Sequence, residues 1–177
     1  MKTGVKLNKN NARDDRKTPL SLAYDIIDSM TWKTNEKVLE PCKGRGAIYN
    51  QLPYKVNKDW CEIKQGKDFF KYERDVDTVI MNPPMSKLDM FIDKCIELKA
   101  RRICMLLPHA SLTHPRLMRF DDYDYGITKL DVCKVHEWFG HTLFVVFEKD
   151  EPSIVGIMKR YREDEPFSIP TQFIMSP

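Results

Sequence analysis

The chain has 177 residues, enough for one domain with a buried core and too few for two of ordinary size. Hydrophobic residues make up 42% and charged residues 31%, which excludes global disorder, while a net charge of +3 neither requires nor excludes an anionic partner. Five dispersed cysteines with no Cys-x-x-Cys spacing argue for reduced thiols and a cytoplasmic setting, against a disulfide framework or a zinc site. No stretch reaches the roughly 20 apolar residues of a membrane span, and no signal-peptide core opens the chain, so neither a membrane partner nor a metal is expected.

In chain order, residues 1–17 form a basic arm, with Lys2, Lys6, Lys9, Arg13, Arg16 and Lys17 against Asp14 and Asp15. It reads either as a phosphate-touching arm or as a solvated terminus. Thr18-Pro19 is expected to open a helix, Thr as cap and Pro at the first helical position, with Leu20, Ala23, Ile27 and Met30 on its buried face. Val38-Leu39 reads as a short strand running into Glu40-Pro41-Cys42-Lys43-Gly44-Arg45-Gly46, and residues 47–52 as the start of the next helix, ended by Pro53. Asp59 to Ile63 reads as a second strand with an acidic end, and Asp77 to Met81 as a third, halted by Asn82-Pro83-Pro84. Ser86 is expected to cap a helix with Asp89 as capping-box partner and Leu88, Phe91, Ile92, Cys95 and Ile96 or Leu98 on its apolar face. Arg102 to Leu107 is a continuous apolar run, as in a strand covered on both faces.

Beyond it, residues 109–126 read as a loop mixing basic and aromatic with acidic residues, suited to substrate contact or simply mobile. Leu130 to Glu137 and Thr142 to Glu148 read as an antiparallel hairpin turned by Trp138-Phe139-Gly140-His141. The expected organisation is therefore an α/β domain over 18–150, with a mostly parallel central sheet, a C-terminal antiparallel hairpin and flanking helices. The tail 151–177 is expected to be partly irregular, with an edge strand over Ile154 to Met158.

Two segments carry chemistry. The strand–Gly turn at 38–52 lets backbone approach a ligand closely and presents unpaired N–H groups. Glu40 stands at the end of its strand and Glu62 at the end of the next, where acidic residues accept from ligand hydroxyls or amines. Asn82-Pro83-Pro84 also falls at a strand end, where ligands of open α/β sheets bind. Its two prolines stiffen the presentation of Asn82. The Asn82 amide oxygen and the Pro83 carbonyl can then take the two hydrogens of a planar amine. That frees the nitrogen lone pair to attack an electrophilic methyl, without a general base.

Together these motifs resemble the class I amino-methyltransferases dependent on S-adenosyl-L-methionine, particularly the adenine-N6 type that acts on DNA or RNA. Glu40-Pro41-x-x-Gly44-x-Gly46 is similar to that family's cofactor motif, and Asn82-Pro83-Pro84-Met85 to its catalytic motif. The resemblance implies a Rossmann-like fold. It further implies cofactor contacts from Thr18, Pro19, Glu40, Pro41, Gly44, Gly46, Glu62, Asn82 and the pair Asp68-Phe69, which would hold the adenine. Asn82, Pro83, Pro84 and Met85 would be the catalytic segment; Met85 stands where the family usually has an aromatic ring. The length leaves no room for a target-recognition domain, so recognition of a nucleic acid would fall to the basic arm, residues 109–126, the tail or a protein partner. Glutamine side chains and guanine amines remain alternative targets, and a non-catalytic methyltransferase-fold binding module or subunit is the alternative from another class.

Overall fold

The structure, a computed structural model, describes residues 17–138 and 140–158; the expected basic arm apart from Lys17, and the tail beyond residue 158, lie outside it. Its elements are α1 (Leu20–Asp28), β1 (Lys37–Glu40), β2 (Asn57–Trp60), β3 (Thr78–Met81), α2 (Leu88–Glu97), β4 (Arg102–Pro108), α3 (His114–Asp121), β5 (Tyr125–Cys133) and β6 (Thr142–Lys149). They build one six-stranded sheet in the order β2-β1-β3-β4-β6-β5. The first four strands are mutually parallel, and β6 and β5 complete the sheet antiparallel.

The period of two along the strands divides the core into two layers. Leu39, Val79, Met81, Ile103, Met105, Leu107, Val145 and Phe147 face α2 and α3, meeting Leu88, Phe91, Ile92, Cys95 and Phe120. Their neighbours Val38, Ile80, Cys104, Leu106, Phe144 and Val146 face the other way, onto Ala23, Ile26 and Ile27 of α1. β3 is buried along its whole length and β4 from Arg102 to Leu107, which is why these strands read as unbroken apolar runs. Phe120 stacks on Phe147 with centroids 3.7 Å apart, pinning α3 to the sheet.

Local chemistry departed from expectation at several points. α1 begins at Leu20 after Pro19, with no side-chain cap, because the Thr18 hydroxyl is occupied elsewhere. Its buried face is Ala23, Ile26 and Ile27, and Leu20 is exposed. Residues 47–52 make only a 3-10 turn at Tyr49–Gln51, since Pro53 leaves no length for an α-helix. β2 runs from Asn57 to Trp60, and Glu62 caps a 3-10 turn over Ile63–Gln65. The N-cap of α2 is Lys87, one residue after the expected Ser86, and Asp89 takes two hydrogen bonds from Arg116 of α3, both at 2.9 Å. The expected loop at 109–126 contains α3 with Pro115 in its first turn, and β5 begins at Tyr125, five residues before the expected start of the hairpin. Residues 154–158 form no strand; Ile154 donates one backbone hydrogen bond to Ile127. Among the described residues no helix is long and apolar enough to cross a membrane.

Candidate active site

β1 is followed by β2 on one side and then by β3 on the other, so the chain reverses its direction of winding between β1 and β3. At such a switch the connections leave in opposite directions and open a crevice at the carboxyl ends of the strands. Glu40 ends β1 and Asn82 follows β3, so both sequence motifs arrive at this crevice.

The Gly turn is shaped by its neighbours. Gly44 and Gly46 have φ of 54° and 84°, the left-handed region that favours glycine. A Cβ on Gly46 would lie 3.0 Å from the Asn50 side chain, whereas one on Gly44 would meet nothing within 4 Å, so the turn is open at Gly44. Gly44 N–H donates to Glu62 Oε2 at 2.7 Å, and Lys64 N–H to Glu62 Oε1 at 3.1 Å; thus Glu62 joins the end of β2 to the turn. Glu40 is 3% exposed and accepts from Tyr49 N–H at 2.8 Å. Burial pushes its carboxyl up to about 8, against the opposing pull of that N–H and of Lys43. No ion pair to Glu40 is formed among the described residues, so this is a desolvated acid without a cation. Pro41 is buried behind it.

Asn82 is held from two sides. Its Nδ2 donates to Thr18 Oγ1 at 3.1 Å, which leaves Oδ1 as the acceptor of the amide. Its backbone carbonyl accepts the Cys42 S–H at 3.3 Å. Burial, with Glu40 and Glu62 nearby, pushes the Cys42 thiol well up, so it stays protonated and can donate. One residue of the Gly turn therefore buttresses the segment after β3. Pro83 is buried, Pro84 precedes a 3-10 turn over Met85–Lys87, and Met85 is half-buried with its sulfur 3.7 Å from Ser111 Oγ.

Asp68 and Phe69 behave differently. Asp68 accepts from Phe70 N–H at 3.0 Å and lines a groove of about 410 Å³ with Asp59, Trp60, Cys61, Lys67 and Tyr72. None of Glu40, Glu62 or Asn82 lines that groove. Phe69 is 3% exposed, its ring 5.2 Å from that of Phe91, so it belongs to the core. The structure thus gathers Thr18, Glu40, Cys42, Gly44, Glu62 and Asn82, and leaves Asp68 one step outward. Cys42, Ser111 and the partnership of Thr18 with Asn82 escaped sequence reasoning, because each depends on segments distant in the chain. His109 donates its N–H to His141 O at 3.0 Å and His114 donates from Nε2 to Met158 O at 2.9 Å, while Trp138 is buried in the β5–β6 connection. No group of metal-ligating side chains occurs among the described residues.

No protein-family model matches the chain and no curated protein sequence does. Its fold is nevertheless shared with solved structures. A chain of the E. cuniculi Mtq2-Trm112 complex, responsible for methylation of the eRF1 translation termination factor, matches at TM-score 0.59 and 17% identity, over 77% of this chain and 99% of that one. Trm5b from Pyrococcus abyssi matches at TM-score 0.57 and 16% identity, over 75% of this chain and 50% of that one. The chain has the class I methyltransferase fold, with a mostly parallel sheet and antiparallel C-terminal strands.

Proposed function

We propose that the protein is an S-adenosyl-L-methionine-dependent N-methyltransferase acting on an exocyclic amino group, adenine N6 of DNA or RNA being the favoured target. The observation that carries this reading is the placement of Asn82, stiffened by Pro83 and Pro84 and oriented by Thr18, across the crevice from the open Gly44 turn. The residues present fit the cofactor. Glu40 is a buried acid lacking a cation, whose ionised form an incoming amino-acid ammonium would favour, and Glu62 at the rim suits ribose hydroxyls. Ile63 beside it is 67% exposed and offers an apolar face, with Asp68 further out to accept from the adenine amine. Pro19, Pro41 and Phe69 act here by shaping backbone and core.

Bound there, the cofactor would supply an electrophilic methyl on a sulfonium. Asn82 Oδ1 and the Pro83 carbonyl accept the two hydrogens of the target amine and hold its nitrogen in line. Transfer of that methyl would leave the C–S electron pair on sulfur and release one amine proton to water, so Asn82 and Pro83 serve as acceptors and no residue acts as a base. Orientation and fixed dipoles do the work, and removing such a preorganised partner costs about 10²–10³ in rate. Met85, which resembles no aromatic platform, supplies a thioether edge beside the target ring.

A second reading is favoured by the likeness to the complex that methylates eRF1: a protein side-chain amide as target, with a partner subunit assisting. Methyl-labelled cofactor, offered with DNA, RNA and protein pools, separates the two readings. Label should enter nucleic acid, and Asn82→Ala should lower incorporation at least 100-fold while cofactor still binds. If wild type binds cofactor but labels no pool, the enzyme reading gives way to a binding module.

A further inference from the structure

The charge of the chain is concentrated beside the crevice. Residues 41–74 contain eight Lys and Arg against four Asp and Glu, +4 in all, while the whole chain carries +3, so the remainder sums to −1. Three of those four acids are already engaged. Glu62 is bonded to the N–H groups of Gly44 and Lys64, Asp68 to that of Phe70, and Asp59 to Tyr72 and Arg74.

The lysines are arranged. Lys58 and Trp60 are two apart on β2, so they share one face of the strand. Lys58 Nζ lies 4.8 Å from the centroid of Tyr49, and Lys43 Nζ 5.4 Å from the same ring. Lys43 Nζ also lies 3.7 Å from the centroid of Trp60, and Lys67 Nζ 3.7 Å from it too. The result is a continuous row, Lys58–Tyr49–Lys43–Trp60–Lys67, drawn from the 3-10 turn at 49–51, the Gly turn, the edge strand β2 and the segment that returns to Glu62. None of its three ammonium groups makes a salt bridge to a carboxylate among the described residues. Both rings are half-buried, hence half open to solvent. The row exists because residues 47–52 form a turn, not a helix, and leave this flank of β2 thinly covered.

We propose that this row binds the backbone and bases of a single-stranded nucleic acid, anchoring the target beside the crevice. Lysines at intervals match the repeating charge of a phosphate chain, and rings between them offer faces on which bases stack whatever their sequence. An acidic peptide would use the charges and leave the rings idle. The inference rests on the nucleic-acid reading above and adds where the strand lies. It places part of target recognition on the domain itself.

Labelled single-stranded RNA and DNA twelve-mers, titrated by fluorescence anisotropy across a salt series, test it. Lys58→Gln/Lys67→Gln should weaken binding roughly tenfold and make the log–log salt dependence shallower by about 1.4, at about 0.7 for each phosphate no longer neutralised. Trp60→Leu should weaken binding about fivefold or more while leaving the salt slope unchanged. Cofactor affinity, measured by calorimetry, should be unchanged in the single variant Lys58→Gln, whose side chain lines no part of the groove around Asp68, which shows the site intact. Oligonucleotide binding equal to wild type in both variants would overturn the row as the binding surface and leave the proposed reaction standing. Wild type that binds no oligonucleotide, with cofactor present, would overturn the nucleic-acid target and the row together. Polyglutamate competing as well as an oligonucleotide of equal charge would overturn the stacking role and make the row a mere charge sink.

Discussion

Glu36 and Glu40 bracket the same strand, are buried to 4% and 3% exposure, and have opposite fates. Glu36, at the amino end of β1, accepts from Thr78 Oγ1 at 2.6 Å, Arg102 Nη2 at 2.7 Å and Lys33 N–H at 2.8 Å. Burial works to raise its carboxyl, but the Thr78 and Lys33 hydrogen bonds and the charges of Arg102 and Arg101 together hold it below the usual range. Glu40, at the carboxyl end, has one N–H and no ion pair among the described residues, and burial wins. The acid at the amino end is paired internally; the one at the carboxyl end is left short of a cation, as the proposed role of Glu40 at a ligand requires. On the proposed function, the two ends of β1 thus separate scaffold from site.

Breaking the scaffold end should have the largest effect. Arg102→Leu strands the Glu36 carboxylate in the core and should cost about 3–5 kcal/mol in urea unfolding. The site end should respond in the opposite direction. Glu40→Gln keeps the acceptor for Tyr49 N–H while removing the buried charge. The folded-state value of about 8 lies above the ordinary 4.5, so the contribution of Glu40 to stability is complete below pH 4.5 and is lost as pH rises through 8. The Gln variant of the ligand-free protein should therefore match wild type near pH 4 and exceed it at pH 8 by on the order of 2–4 kcal/mol. The same variant should bind cofactor about 10–100-fold more weakly by calorimetry, since a hydrogen bond to a charged group is removed. Equal stability of the two proteins at both pH values would erase the contrast. The smallest effect is expected at Thr18→Val, which removes the acceptor of Asn82 Nδ2. Methyl transfer should fall about threefold to tenfold with cofactor affinity unchanged, as befits a positioning residue.

The buried parallel strands, α2 and the two motif-bearing turns were legible in the chain, because hydrophobic period and Gly and Pro chemistry act locally. The failures share a cause. Thr18 looked like a cap in isolation, but Asn82, brought near by the fold, claimed its hydroxyl. Phe69 followed an expected ligand residue yet was drawn into the core against Phe91. The helix expected after Gly46 was too short to form, and what replaced it exposed a row of lysines and rings that no spacing rule announces.

By itself, the sequence determined the layer architecture and the residue types standing at the carboxyl ends of β1 and β3. Backbone sterics and alternating burial depend only on near neighbours. Only the tertiary structure decided which of two similar buried glutamates is paired, that Cys42 holds the backbone and Thr18 the side chain of Asn82, and that Lys43 joins rings from separate segments. Those outcomes depend on desolvation and on charges brought together across tens of residues, which local sequence does not encode.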